Sequence, residues 1–234
     1  QNRTGTGYVF SDKLVDEEDV KKEQIEYWKK LGHEAIPSKI LKWNPGKFKR
    51  SYVKNCLAIG LSDGFIEPLD GNALILSLNL LIDFLPKLHK HMVFESYDQD
   101  LINKHALEAY DHTRNYIYWC HLQKRNDSKY WNYFKQKENM PKIIQESLIA
   151  WNSKPLMLHE FLTTGPKPFG LFSWYTIGQR SGLLNKFTAK RFINDYGVEQ
   201  ACKTKYDLII DNIKIINEKH INQDDILKWI NKTF

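Results

Sequence analysis

Cysteine is scarce. Cys56, Cys120 and Cys202 are spread over 234 residues with no CxxC pair, which excludes a disulfide framework and a thiolate zinc site and points to a reducing, cytoplasmic setting. Long apolar runs are lacking as well. The longest, Leu74 to Leu85, is broken by Ser77, Asn79 and Asp83 and falls short of the ~20 residues that a membrane span needs, so no membrane partner is expected. No GxGxxG run occurs, since Gly5-Thr6-Gly7 lacks the third glycine. His89 and His91, and the neighbours Cys120 and His121, have no third and fourth ligand beside them in sequence, so no metal is expected. Internal repeats and low-complexity linkers are missing too.

What remains reads as a folded chain. Hydrophobic residues at 42% and charged residues at 26% leave enough apolar surface for a real core, and the length fits one large or two small domains. The net charge is +6 and unevenly spread. Lys39, Lys42, Lys47, Lys49, Arg50 and Lys54 share one stretch with no acid between them, whereas acids outnumber Lys87 and Lys90 from Leu61 to Asp100. The basic stretch reads either as a solvated face or as a phosphate track; a nucleic-acid partner is not expected. The first residue is Gln1, not Met, with no basic-then-apolar leader behind it. We expect a segment upstream.

Along the chain, Gly5 to Ser11 reads as a strand. An acidic first turn at Asp16 to Asp19 opens a helix to about Leu31, stopped by Gly32. Lys39 to Trp43 alternates like a half-buried strand, and Tyr52 to Ile59 reads as a second. The run Leu74–Leu85 is apolar nearly all round, which predicts a helix in the interior, ended by Pro86. His105 to about Gln123 and Tyr130 to Lys137 read as aromatic-rich helices. Gly165 to Gly170 reads as a loop. Tyr206, Ile209, Ile210, Ile213 and Ile216 form one stripe of a late helix, and Asp224 to Asn231 reads as a short last one. The fold class is α+β: a small antiparallel sheet portion followed by a mainly helical body. So few strands are marginal alone, so they are expected to complete a sheet lying elsewhere.

The chemistry concentrates between Cys56 and Ala73. A strand enters Gly60-Leu61-Ser62-Asp63-Gly64-Phe65-Ile66-Glu67-Pro68-Leu69-Asp70-Gly71-Asn72-Ala73 and then the apolar helix. Asp70, Gly71 and Asn72 fall around the helix N-cap, where free backbone N–H groups attract anions and Gly71 lets a ligand approach the backbone. An ordinary capped helix after a glycine-rich turn reads equally well. Glu67 and Asp70 either divide acid and base roles, or one caps the helix while the other is solvated.

Asn55 to Ser62 followed by Gly64-Phe65-Ile66-Glu67-Pro68-Leu69 resembles the central motif of the flavin-dependent halogenases, the tryptophan halogenase family. Three further stretches resemble the family in the same order: Gln1 to Ser11, Arg125-Asn126-Asp127-Ser128-Lys129-Tyr130-Trp131, and Phe169-Gly170 with Ser173-Trp174 and Gly178-Gln179. Together they reach from residue 1 to about 185.

The resemblance implies a flavin-monooxygenase-type domain, of which residues 1–85 would be the C-terminal part, and a helical substrate-side domain at 86–234. It implies FAD, reduced by a separate flavin reductase, with O2 and a halide ion. The flavin hydroperoxide oxidises the halide, and a lysine delivers electrophilic halogen to an electron-rich aromatic substrate. By position, Leu61 and Leu74 would line the isoalloxazine, the N–H groups of Asn72 and Ala73 would hold chloride or bromide, and Asp70 would take the place of a catalytic glutamate. Asp is one methylene shorter, a loss of reach of about 1–1.5 Å. The fingerprint, the lysine and a Trp-x-Trp-x-Ile-Pro motif belong upstream in the family, so the chain reads as the C-terminal half of such an enzyme, inactive without its N-terminal half. The free-tryptophan clamp is not recognisable in His159 to Phe172, and free tryptophan is not expected as substrate. A flavin-dependent aromatic hydroxylase fragment and a non-enzymatic basic helical binding module are the alternatives.

Overall fold

The computed structural model describes residues 5–37, 39–90, 94–154, 168–218, 225 and 228. Helix α1, Glu17–Lys30, begins at Asp16, whose side chain accepts the Glu18 N–H, and carries Glu17, Glu18 and Asp19 in its first turn, as the helix dipole favours. It ends at Gly32, in the left-handed region with φ +81°. Before it, residues 5–11 form no strand. The expectation there was wrong because β-favouring residues alone make no strand without a neighbouring edge; Tyr8 instead donates its hydroxyl to Glu23 at 2.8 Å. Lys39 to Trp43 is likewise irregular.

Among the described residues the sheet content reduces to two antiparallel pairs. β1 (Gly46–Lys47) pairs with β4 (Gly64–Phe65), Gly46 opposite Phe65. β2 (Tyr52–Val53) pairs with β3 (Cys56–Leu57), Tyr52 opposite Leu57. The single strand expected over Tyr52 to Ile59 is therefore a hairpin, turning at Lys54 with φ 55°. Gly64 is required where it stands, because a Cβ would lie 2.7 Å from the Gly46 carbonyl oxygen.

Eight helices account for most of the described residues. α2 (Asn72–Lys90) and α3 (Ser96–His121) pack side by side. α4 (Lys129–Tyr133), α5 (Lys142–Ser153) and α6 (Leu171–Arg180) follow. Helix α3 is the spine. Ile102, Ala106, Ala109, Thr113, Tyr116 and Ile117 form its buried stripe at helical spacing. Tyr52, Leu80, Ile102 and Ala106 make one core cluster, while Tyr116, Trp119, Leu122, Ile144, Trp151, Phe169 and Trp174 make the other. Trp119 is fully buried and donates Nε1–H to the Trp174 carbonyl at 2.9 Å.

Two expectations about α2 need correction. Pro86 does not end it; the helix runs on to Lys90. Nor is it interior. Its inner side, with Leu80 at 6% exposure, packs on α3, but Leu74, Leu78, Ile82 and Leu85 are 54–73% exposed. An all-round apolar helix needs cover on every side, and among the described residues only the sides towards α3 and the 60–62 turn have it. The stretch Leu69–Leu88 has the length and a mean hydropathy, 1.3, of a membrane span by composition alone, and only 11% of its most apolar window is buried.

Two compact units are present, residues 1–184 and 185–234. In the second, α7 (Lys186–Asp195) starts at Asn185, whose Oδ1 accepts the Phe187 N–H, and α8 (Glu199–Glu218) follows. The stripe expected on α8 is largely exposed at Tyr206, Ile209 and Ile213. The expected last helix is described only at residues 225 and 228, both helical, and residues 165–167 of the Gly165–Gly170 loop lie outside the described residues.

Candidate functional site

The loop from Gly60 to Ala73 is held at several points along its length. Gly60 turns at φ +65° into a 3-10 turn over Gly60–Ser62, closed by Ser62 Oγ, which accepts the Ile59 N–H at 3.1 Å. Asp63 accepts two 2.8 Å hydrogen bonds from Lys47 Nζ, whose side chain is 4% exposed. Trp43 donates Nε1–H to the Ile66 carbonyl at 3.0 Å, and Tyr110 donates its hydroxyl to the Phe65 carbonyl at 3.2 Å. The basic stretch is thus partly consumed in ion pairs: Lys47 with Asp63, Arg50 with Asp100, and Lys42 with Glu17.

After Pro68 the backbone makes an uncommon move. Asp70 (φ 55°, ψ 24°) and Gly71 (φ 62°) both take left-handed conformations, tolerated by Asp and natural for Gly. This reversal aims the chain into α2. Asn72 is 1% exposed, and its Nδ2 donates to the Glu67 carbonyl at 2.5 Å and the Leu69 carbonyl at 2.7 Å. Its Oδ1 is buried without a partner. The Asn72 backbone N–H is also donated to Leu69 O, so of the two amides expected to meet a halide, one is already engaged. Ala73 follows in the first turn of α2, into which the 3-10 turn Leu69–Gly71 runs directly.

The structure brings most of the expected residues together. Asp70, Asn72 and Ala73 share one turn, and the Gly60–Ser62 turn carrying Leu61 packs beside α2, with Gly60 next to Ser77. Leu61 is 76% exposed and Leu74 73%. Nothing lies within 4 Å of where a Cβ on Gly71 would stand. Behind the turn, between α2 and α3, a cavity of about 20 Å³ lined by Phe65, Asn72, Leu80, His105 and Tyr110 holds no more than about one water. It is too small for a cofactor.

Sequence reasoning missed the far side of the site, which belongs to α3 and α4. Glu67 Oε1 lies 3.8 Å from His121 Nε2, with side chains 19% and 12% exposed. Burial pushes the Glu67 carboxyl up, and His121 opposes this. Burial pushes the Cys120 thiol up to about 12, with the charges of Asp70 and Glu67 adding to the effect. Burial likewise raises Tyr116, again with a contribution from Asp70. Both acids of the turn therefore act on the last turns of α3. No signal in residue spacing links Glu67 with His121; only folding does.

Comparison with known proteins follows the same outline. The tryptophan halogenase family model matches residues 1–191. The tryptophan 7-halogenase KtzQ of Kutzneria sp. (strain 744) is 30% identical over 136 residues, which are 57% of this chain and 25% of that protein. The tryptophan 7-halogenase RebH of Lentzea aerocolonigenes is 30% identical over 138 residues, with the same coverage. The chain thus spans about a quarter of these relatives. Among solved structures, a thermophilic tryptophan halogenase from Streptomycin violaceusniger superposes with a TM-score of 0.74 at 23% identity, covering 90% of this chain and 40% of that one. Tar14, a tryptophan C-6 flavin-dependent halogenase from taromycin biosynthesis, gives 0.79 at 19%, covering 94% and 43%.

Proposed function

The chain belongs to the tryptophan halogenase family, and on that footing we propose that it supplies the halide turn and one wall of the flavin pocket in an FAD-dependent halogenase of aromatic compounds. Residues 1–85 then complete a flavin-monooxygenase-type domain, and 86–234 form the substrate side. The observation that carries the reading is a coincidence in space. The left-handed pair Asp70–Gly71 and the amides at the head of α2 share one turn with the uncovered Leu74, and the Gly60–Ser62 turn that carries the uncovered Leu61 packs against α2.

In this reading Leu61 and Leu74 lie against the isoalloxazine, and FAD, reduced by a separate reductase, supplies with O2 the oxidation of the halide. The chain's own residues do the rest. Ala73, with Asn72 beside it, holds the halide through N–H groups; because the Asn72 N–H is shared with Leu69 O, Ala73 carries the larger part. Asp70, at the crest of the turn, orients the aromatic substrate or the halogenating species. A helix N-terminus contributes only about 0.3–1 kcal/mol to an anion, up to about 2 when partly buried, while desolvating the ion costs several. Halide binding is therefore weak, in the millimolar range.

Mass spectrometry of product formed by the chain together with its flavin-binding portion tests the reading. A halogenated aromatic product that appears only with added bromide or chloride supports it. A hydroxylated product formed without halide overturns it. The 234-residue chain alone, which has no GxGxxG sequence, is expected to retain no FAD and to turn over nothing.

A further inference from the structure

Beneath the halide turn, Glu67 and His121 form a pair that the reading above leaves without a role. The tautomer of His121 follows from its partners. Its Nδ1 lies 2.8 Å from the Ile117 carbonyl, and a carbonyl only accepts, so Nδ1 carries a proton. In the neutral ring, Nε2 then presents a lone pair to the Glu67 carboxylate 3.8 Å away. Two acceptors facing each other, both largely out of water, repel unless one proton sits on one of them. The imidazole cannot turn aside. It stacks on Phe134 at 4.7 Å and 26°, lies 6.0 Å from Trp131, and meets Tyr130 edge-on at 5.7 Å.

The acid of the pair is joined directly to the turn. The Glu67 carbonyl accepts Asn72 Nδ2, and only Pro68 and Leu69 separate Glu67 from Asp70. With one proton the pair is neutral overall; without it, the pair carries a net negative charge, on a residue whose carbonyl holds the Asn72 side chain at the head of α2. From these contacts, and resting on the halide reading above, we infer that Glu67 and His121 hold one shared proton whose loss weakens halide binding, so that halide and proton bind together.

Other titratable groups facing the pair do not obscure this. Cys120 on α3, pushed up to about 12, and Tyr130 on α4, raised by burial with Glu67 adding to it, stay protonated where an imidazole titrates. Tyr116 on α3, raised by burial, and Tyr8, which acts on Tyr130 and is itself pushed up to about 12, do the same. Asp70 acts on Cys120 and Tyr116 from the turn itself. Burial of Glu67 favours its neutral form, which keeps the proton in the pair to higher pH.

The test uses nuclear magnetic resonance on the purified 234-residue chain, with sodium bromide as the probe. The imidazole nitrogens of His121 are followed between about pH 5 and 8 in the wild type and in Glu67→Gln. The backbone amide signals of Asn72 and Ala73 are followed against bromide at both ends of that range. We expect the His121 transition to move in Glu67→Gln. We expect bromide affinity in the wild type to fall about fivefold towards the alkaline end, the size of one like charge nearby in a partly screened site, and the pH at which it falls to move with the His121 transition in the variant. The wild-type titrations stand alone should the variant fold poorly. Equal bromide affinity at both ends, or a His121 transition untouched by Glu67→Gln, overturns the inference while leaving the halide reading intact. Amide signals that ignore bromide at both ends overturn the halide reading, and this inference with it.

Discussion

Asn103 on α3 grips the backbone of Tyr52 from both sides: its Oδ1 accepts the Tyr52 N–H at 2.8 Å and its Nδ2 donates to the Tyr52 carbonyl at 3.0 Å. One buried side chain, 7% exposed, thereby replaces the neighbouring strand that the short β2–β3 hairpin lacks on this edge. The hairpin leads directly into the Gly60 loop, so the grip also bears on where the candidate site stands. Asn103→Ala leaves two buried backbone groups unpaired, each costing about 1–3 kcal/mol. Urea denaturation is expected to show a loss of roughly 2–4 kcal/mol, and hydrogen exchange to show the Tyr52 amide losing protection ahead of α3 itself.

Gly178 sets the distance between α3 and α6. A Cβ there would stand 2.5 Å from Trp119 Cζ2 and 3.2 Å from Leu184 Cγ, and Trp119 cannot yield because its Nε1–H is held by the Trp174 carbonyl. Gly178→Ala is expected to destabilise the chain by about 1–3 kcal/mol through overpacking. A thermal melt within error of the wild type would show that the two helices are free to separate.

Burial raises Cys120 to about 12, whereas Cys56 and Cys202 are exposed. A thiol whose folded pKa lies above its unfolded value stabilises the folded state while it remains protonated. That contribution is fully present below the unfolded value and is lost as pH rises towards about 12. Alkylation with iodoacetamide near pH 8, below the ordinary thiol pKa of about 8.5, is expected to label Cys56 and Cys202 and to spare Cys120. Unfolding titrations are expected to lose stability on the alkaline side. Labelling of all three at one rate would contradict the packing described around Tyr116.

Asp70 separates stability from function because of its left-handed backbone. Asp70→Gly is expected to leave stability within about 1 kcal/mol of wild type, since Gly pays no steric cost there. Asp70→Val is expected to cost about 1–2 kcal/mol. Both variants, combined with the flavin-binding portion, are expected to lose halide-dependent product. Full activity in Asp70→Gly would remove the carboxylate from the chemistry.

Much of the helical body and the site loop could be read directly. Asp16 with its acidic followers predicts α1 and Gly32 its end, and the stretch from Gly60 to Ala73 announces a strand, a turn and a helix head. The failures share a cause. The aromatic and β-branched residues of Gly5–Ser11 and the alternation of Lys39–Trp43 are local patterns, but a strand is a relation between two segments, and these have no strand partner among the described residues. Hydropathy makes α2 interior because it counts apolar residues without knowing what covers them; the face at Leu74, Leu78, Ile82 and Leu85 is uncovered here. His121 invites attention only as a metal ligand beside Cys120, since nothing in the chain order places it against Glu67. The left-handed pair at Asp70–Gly71 was half legible, through the glycine.

Diffraction from bromide-soaked crystals, recorded at the bromine absorption edge, tests the central claim most directly. The account predicts an anomalous peak at the head of α2, in hydrogen-bond contact with the Ala73 N–H and bordered by Asp70 and Leu74. Bromide found elsewhere on the molecule, with that position empty or filled by a side chain, would contradict it.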